Sequence, residues 1–473
     1  METIAITGGR GLQGCIRPAA AKNSVLPLLA AALLCGEPCA VSGVPPLADV
    51  ATSLALLRAV GAAPELQGDT IRLAPRPLCG DIPPAVAGAM RASVFYLAPL
   101  LIRAGAVTMP LPGGCRLGPR PIDIHLDGLA AMGASVQAGA QAVTLRRRGA
   151  LHAVDYTLRL PSVGATLTLL MAAACAEGYT TLRGVAREPE IQDVAAFLNA
   201  AGAEIAGAGT PVLTIRGAGG LLPGGARHTP LPDRIAAATY ASAVAIAGGQ
   251  VTVEGCPPGH LGAFLQFLRR VGCRVTPQGE GFAVQRDPGR PLRGGVRLCT
   301  AAWPGFATDT APLAAAVLLF AEGESAIHDA LFQNRFACAE GFRALGAQVR
   351  AEGRDLAVRG GRPLHGAGLT APDLRGGAAL VLAALGAQGE SLLRDAGHIR
   401  RGYADLPADL ARLGACCRRL DDWNEDGQNG EKYCRRLVGF RQNHGAHGNF
   451  FSFCRAAIEI ERQIWYANNQ LYG

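Results

Sequence analysis

One short pattern occurs six times in this chain of 473 residues, and it constrains the fold more than any other feature. A helical stretch ends in Gly-Ala or Gly-Cys, and strand-like alternation follows. The instances are Gly61-Ala62, Gly133-Ala134, Gly202-Ala203, Gly272-Cys273, Gly346-Ala347 and Gly414-Ala415, with successive glycines 72, 69, 70, 74 and 68 residues apart. Glycine ends a helix readily because it enters the left-handed region without a Cβ clash. The segment after each glycine reads as strand, turn, strand, as in Ala203 to Ile215. A second element precedes each instance: a very apolar helix, a glycine turn and a strand, as in Leu28 to Val44 or Leu169 to Val185. Helices apolar on all sides belong in the interior, whereas the amphipathic helices ending in Gly-Ala belong at the surface. Each unit of about 70 residues is therefore predicted to run β-α-β-α-β-β. Six units make an α/β protein of two similar lobes, three units each, with buried helices, outer sheets and a cleft between the lobes.

The repeat ends near Leu420. Residues 421–473 hold two of the three Trp and one of only two Lys, and read as an appended tail, disordered or forming one helix over Phe451 to Gln470. His444, His447, Cys434 and Cys454 fall there, but their spacing fits no common zinc site, so no metal is expected. At the other end, Gly9-Arg-Gly11-Leu-Gln-Gly14 matches a dinucleotide fingerprint. The segment Leu12 to Arg17 reads as a strand and not as the helix a pyrophosphate needs, so a hairpin turn is expected and no cofactor.

The net charge of +8 is dispersed; Arg146-Arg147-Arg148 is the only basic triplet. A nucleic-acid partner would call for a concentrated basic stripe with interleaved aromatics, so none is expected. Scattered arginine suits small anionic substrates. The longest apolar runs, such as Val25 to Cys35, are too short to span a bilayer, and the start of the chain lacks a signal-peptide pattern. The 14 cysteines show neither disulfide-scaffold pairing nor twin CxxC motifs. A cytoplasmic, membrane-free protein is expected, of undetermined oligomeric state.

Two residues stand out chemically. Cys115 lies in Leu111-Pro-Gly-Gly-Cys115-Arg-Leu-Gly-Pro-Arg120-Pro121, where three glycines and three prolines dictate a loop. Arg116 and Arg120 flank it, and nearby cations favour the reactive thiolate. Lys22 is the other: arginine fills nearly every basic position, and the only other lysine is Lys432. A compact mobile ammonium differs from a planar fork, and its survival calls for a reason.

These residues sit inside an ordered set of strings. They are Ala21-Lys22-Asn23, Gly113-Gly114-Cys115, Gly118-Pro-Arg120-Pro121-Ile-Asp123-Ile-His125, Ser162-Val163-Gly164-Ala165-Thr166, Arg187-Glu-Pro-Glu-Ile191, Asn334-Arg335-Phe336 and Arg401-Gly402-Tyr403. Over about residues 1 to 420 the chain resembles the enolpyruvyl transferase family, and in particular its UDP-N-acetylglucosamine members. The resemblance implies two inside-out α/β barrels, one from residues 1–21 with 232–420 and the other from 22–231. It implies transfer of the enolpyruvyl group of phosphoenolpyruvate to the 3'-hydroxyl of UDP-N-acetylglucosamine, with release of phosphate and no cofactor. A silent paralogue that binds the sugar nucleotide, or a transferase for another acceptor such as shikimate 3-phosphate, are the alternatives.

The same resemblance assigns roles. Cys115 matches the proton donor and Asp309 the base, with Lys22 and Arg401 completing the catalytic set; Asp309 could equally cap the helix starting near Ala311. Lys22, Asn23, Arg120 and Arg401 match the phosphoenolpyruvate site. Asn23, Arg91, Arg120, Pro121, Ile122, Asp123, Ile124, Leu160, Pro161, Ser162, Val163, Gly164, Asp309 and Leu331 match the nucleotide-sugar site, where Ser162 could instead be an ordinary helix cap. Asp373 and Arg375 fall at the matching loop of the sixth unit. The chain departs from the family pattern around these residues. Ala307-Thr308-Asp309-Thr310-Ala311 replaces Pro-Thr-Asp-Met-Gln, Gln333 replaces Glu, Arg400 replaces Asp, and Ala20-Ala21 lacks the usual Gly.

Overall fold

A computed structural model describes residues 2–111 and 122–420, which belong to one compact unit. The loop around Cys115 and the segment 421–473, with its expected helix, lie outside the described residues. The six repeat glycines end their helices as the pattern requires: Gly61, Gly133, Gly202, Gly272, Gly346 and Gly414 have φ between 90° and 109°.

The unit beginning at Asp155 shows the plan most completely. Strand Asp155–Thr157 leads to helix Val163–Cys175, strand Tyr179–Arg183, helix Pro189–Ala200 and the strand pair Glu204–Ala206 and Val212–Arg216. The strands form one sheet, with Tyr179–Arg183 antiparallel to Val212–Arg216 and parallel to Asp155–Thr157. In Val212–Arg216, Leu213 and Ile215 point inward and are 1% exposed, while Thr214 and Arg216 face solvent, the alternation of a sheet with one dry face. Helix Val163–Cys175 is buried along its whole length from Ala165 to Cys175. Each leucine so enclosed stabilises the fold by roughly 1.5–3 kcal/mol relative to exposure.

Among the described residues, six sheets of three to five strands repeat this arrangement. The principal buried helices are Lys22–Ala31, Leu97–Ala104, Val163–Cys175, Arg234–Ala247, Ala311–Leu318 and Leu374–Gly386. Buried side chains separate into two clusters. One runs from Val25 to Ala226; the other joins Ile4 to Ile16 with Ile235 to Cys417.

The amino-terminal segment ties the second cluster together. Strand Thr3–Thr7 lies between Glu390–Arg394 and Cys416–Leu420, antiparallel to both, and completes the last sheet. Strand Leu12–Ile16 pairs in parallel with Gly249–Val253 in a different sheet. The glycine-rich link is therefore not the hairpin expected from the sequence: the two strands never pair. Gly8 lets the link run tight against the neighbouring backbone, where a Cβ would stand 2.1 Å from the carbonyl oxygen of Ala387. Among the described residues, no helix is long and apolar enough to cross a membrane.

Candidate active site

The charged residues of interest lie where buried helices begin. Lys22 is the first residue of Lys22–Ala31, Ser162 caps Val163–Cys175, Arg234 opens Arg234–Ala247, and Arg375 sits in the first turn of Leu374–Gly386. The turn Thr308–Thr310 leads directly into Ala311–Leu318, and Arg91–Tyr96 into Leu97–Ala104. A helix start exposes unpaired N–H groups and the positive end of the backbone dipole, which suits anions.

Asp309 lies at the centre. Its Oδ1 accepts from Arg335 Nη2 at 3.2 Å and its Oδ2 from Arg375 Nη2 at 3.3 Å. It makes no helix cap: the residue preceding Ala311–Leu318 is Thr310, with no side-chain cap hydrogen bond. Arg335 and Arg375 are nearly sealed, at 2% and 5% side-chain exposure, whereas Asp309 keeps 30%. The carboxylate therefore meets the surface while its arginines are held behind it. Arg335 is fixed by Thr308 Oγ1 at 2.9 Å and by Asp329 at 3.7 Å, and Thr308 donates to Asp329 at 2.5 Å. Arg375 is fixed by its helix, which Asp373 caps by accepting from the amides of Arg375 and Gly376. Its guanidinium also approaches Tyr403 OH at 3.5 Å, and Tyr403 pairs with Thr239 at 2.7 Å. Burial opposes ionisation of Asp309, but Arg375, Arg335, Lys22 and Arg234 outweigh it and hold the carboxyl well below the usual range.

Lys22 Nζ stands 3.3 Å from Asp49 Oδ2. Arg401 reaches the same carboxylate through Nε at 2.8 Å and Nη2 at 3.3 Å. Burial draws the Lys22 ammonium below its ordinary pKa; Asp49 pulls it back up, Arg375 and Arg401 push it further down, and Asp309 supports it. The structure thus brings Lys22, Asp309, Arg375 and Arg401 into one electrostatic cluster. Arg335 and Asp49 belong to it as well, although sequence reasoning assigned neither a role. Arg335 belongs to the string Asn334-Arg335-Phe336, which could have pointed to it; Asp49 is an ordinary acid at a helix start and carries no such signal.

Part of the candidate nucleotide-sugar set, the segments Ile122 to Ile124 and Ser162 to Gly164, flanks a second helix contact. Gly128, in helix Asp123–Ala131, lies so close to Leu169 that a Cβ would stand 2.5 Å from its methyl carbons. That approach seats His125 against the start of Val163–Cys175: His125 Nδ1 is 2.9 Å from Thr168 Oγ1, and a Cβ on Gly164 would meet its ring at 2.9 Å. Burial, followed by the nearby Arg91 cation, pushes His125 down to about 3, so the imidazole is neutral. Ile122 and Ile124 are buried beside it, and Asp123 pairs with Arg159. Ser162 Oγ accepts from the Ala165 amide at 3.3 Å, so it does serve as a helix cap. Val163 and Asn23 are half-buried, while Leu160 and Leu331 remain exposed. A surface cleft beside this segment is lined by Pro161, Gly184 to Arg187, Pro211, Ala302 and Trp303, which come from both halves of the chain. Cys115, Arg120 and Pro121 lie outside the described residues.

The chain belongs to the EPSP synthase (3-phosphoshikimate 1-carboxyvinyltransferase) family, whose profile matches residues 6–410. It is 42% identical over 427 residues to UDP-N-acetylglucosamine 1-carboxyvinyltransferase 1 of Symbiobacterium thermophilum, spanning 89% of this chain and 95% of that protein. It is 41% identical over 432 residues to the enzyme of the same name from Halalkalibacterium halodurans, spanning 91% and 97%. Among solved structures it is similar to the enolpyruvyl transferase NikO from Streptomyces tendae, with TM-score 0.77 and 28% identity over 89% of this chain and 99% of that one. EPSP synthase from Acinetobacter baumannii, at 18% identity and TM-score 0.66, shares the fold.

Proposed function

We propose that this protein transfers the enolpyruvyl group of phosphoenolpyruvate to the 3'-hydroxyl of UDP-N-acetylglucosamine, the first committed step of peptidoglycan synthesis. The observation that carries this reading is the Asp309 cluster: a partly exposed carboxylate backed by sealed arginines beside Lys22 and Arg401. Phosphoenolpyruvate brings a phosphate and a carboxylate, and the fixed cations supply charge-assisted contacts for both. Asp309 takes the hydroxyl proton as the sugar oxygen bonds to C2 of the donor. Cys115 delivers a proton to the methylene carbon, giving a tetrahedral ketal. A methyl proton then returns to the Cys115 thiolate, the double bond re-forms, and the bond from C2 to the phosphate oxygen breaks, so that phosphate departs with the proton held by Asp309.

The depressed pKa makes Asp309 a weak base before the donor arrives. A donor anion bound at Lys22 offsets one of the cations that depress Asp309, so the base strengthens when it is needed. The acceptor is assigned to the segments 120–124 and 160–164 with Asn23, Arg91 and Leu331, where the start of Val163–Cys175 offers amides to the diphosphate. The two core clusters suggest lobes of 1–21 with 232–420, and 22–231, and both substrates place the reaction in the cytoplasm. The test is phosphate release from phosphoenolpyruvate with UDP-N-acetylglucosamine, with shikimate 3-phosphate as control acceptor.

A further inference from the structure

Asp49 is a carboxylate that the reaction above does not use, yet it is 5% exposed and touches two of the donor-site cations. It sits in the first turn of the surface helix Ala48–Ala59, where the helix dipole favours a negative charge. Its partners come from different cores. Lys22 starts a helix of the Val25–Ala226 cluster, and Arg401 ends the turn Ala396–Arg401, whose Ala396 and Ile399 pack in the other cluster. Both carboxylate oxygens are engaged: Oδ1 with Arg401 Nε, and Oδ2 with Arg401 Nη2 and Lys22 Nζ.

Resting on the enolpyruvyl-transfer reading, we infer that Asp49 is a positioning residue that holds Lys22 and Arg401 together across the two cores and so assembles the phosphoenolpyruvate site. A two-point grip fixes the plane of a guanidinium in a way that one contact cannot. The second effect is on charge. Lys22 is faced by Asp49 and Asp309, which support its ammonium, and by Arg375 and Arg401, which oppose it, all against the cost of burial. Asp49 is the largest support, so its loss favours a neutral amine that cannot hold phosphate. A competing outcome has the opposite sign. If Asp49 only occupied the cations until substrate displaced it, its removal would improve donor binding.

The experiment compares wild type, Asp49→Asn and Asp49→Glu by steady-state phosphate release, titrating each substrate with the other saturating. Loss of a charged hydrogen-bond partner predicts that Asp49→Asn raises the KM for phosphoenolpyruvate about ten- to a hundredfold, while the KM for UDP-N-acetylglucosamine stays within about twofold. Asp49→Glu keeps the charge but moves the carboxylate by one methylene and loosens the two-point grip, so its donor KM rises selectively by an intermediate amount, about three- to tenfold. In Asp49→Asn the basic limb of the kcat/KM profile for phosphoenolpyruvate moves down by about one pH unit. A lower KM for the donor, or an equal rise in both KM values, overturns the inference, as does a basic limb that stays put. If Asp49→Asn does not fold, judged by circular dichroism, the Asp49→Glu variant decides. A selective intermediate rise in the donor KM supports the role, and wild-type behaviour in both substrates refutes it. Wild type without turnover sinks the enolpyruvyl-transfer reading itself, which a flat Asp49→Asn result in an active wild type does not.

Discussion

Replacing Asp309 with Asn separates its two functions, because the substitution keeps the shape and removes the charge. The structural cost follows from its partners. Breaking a buried ion pair typically costs about 3–5 kcal/mol when it strands a charge. Here Arg335 retains Asp329 and Thr308, Arg375 retains Tyr403, and the carboxylate itself is 30% exposed. The expected loss is therefore about 2 kcal/mol, read by denaturant titration. The catalytic cost is larger: removing a general base lowers kcat by about 10²–10⁴-fold. Donor binding should not suffer, since a negative charge leaves a site that holds an anion. The signature is a fall in kcat with the KM for phosphoenolpyruvate unchanged or lower.

The pH behaviour has a defined sign. Asp309 is depressed in the folded state, so its contribution to stability is present above the ordinary carboxylate range and is lost only as pH falls toward the folded value. In wild type, a donor anion that offsets the Lys22 charge raises the working pKa. The acid limb of the kcat profile should then lie at higher pH than that of kcat/KM for phosphoenolpyruvate. A variant with kcat within about threefold of wild type, or one whose deficit is entirely a raised donor KM, would refute the base assignment.

Two further perturbations address other parts of the site. Cys115→Ala removes the proposed proton donor; phosphate release should be lost while UDP-N-acetylglucosamine still binds by calorimetry. Normal turnover would withdraw that role. Gly164→Ala places a Cβ 2.9 Å from the His125 ring, which Thr168, one turn further along the same helix, anchors through its hydroxyl. The start of helix Val163–Cys175 must shift, so the KM for UDP-N-acetylglucosamine should rise about tenfold or more with the donor KM little changed. Unchanged acceptor kinetics would remove this helix start from the sugar-nucleotide site.

Local backbone chemistry made the repeat legible. A glycine that must take positive φ marks itself, and six did so at nearly even spacing. Long-range pairing left no such trace: nothing between Thr3 and Ile16 announces that the two strands join different sheets. The site divides the same way. Lys22 was visible because lysine is so rare here, and Cys115 because its loop is so rich in glycine and proline. Asp49 was not, since an acid in a first helical turn is ordinary in sequence, and Arg335 showed itself only as part of the string Asn334-Arg335-Phe336. Their importance comes from burial and partners, which only the fold supplies.

The most direct test of the central claim is phosphate release from phosphoenolpyruvate by the full chain, with UDP-N-acetylglucosamine and shikimate 3-phosphate offered separately. The account predicts release with the sugar nucleotide alone, and mass spectrometry of an acceptor product heavier by one enolpyruvyl group. Release with shikimate 3-phosphate alone, or no release from folded protein with either, would contradict it.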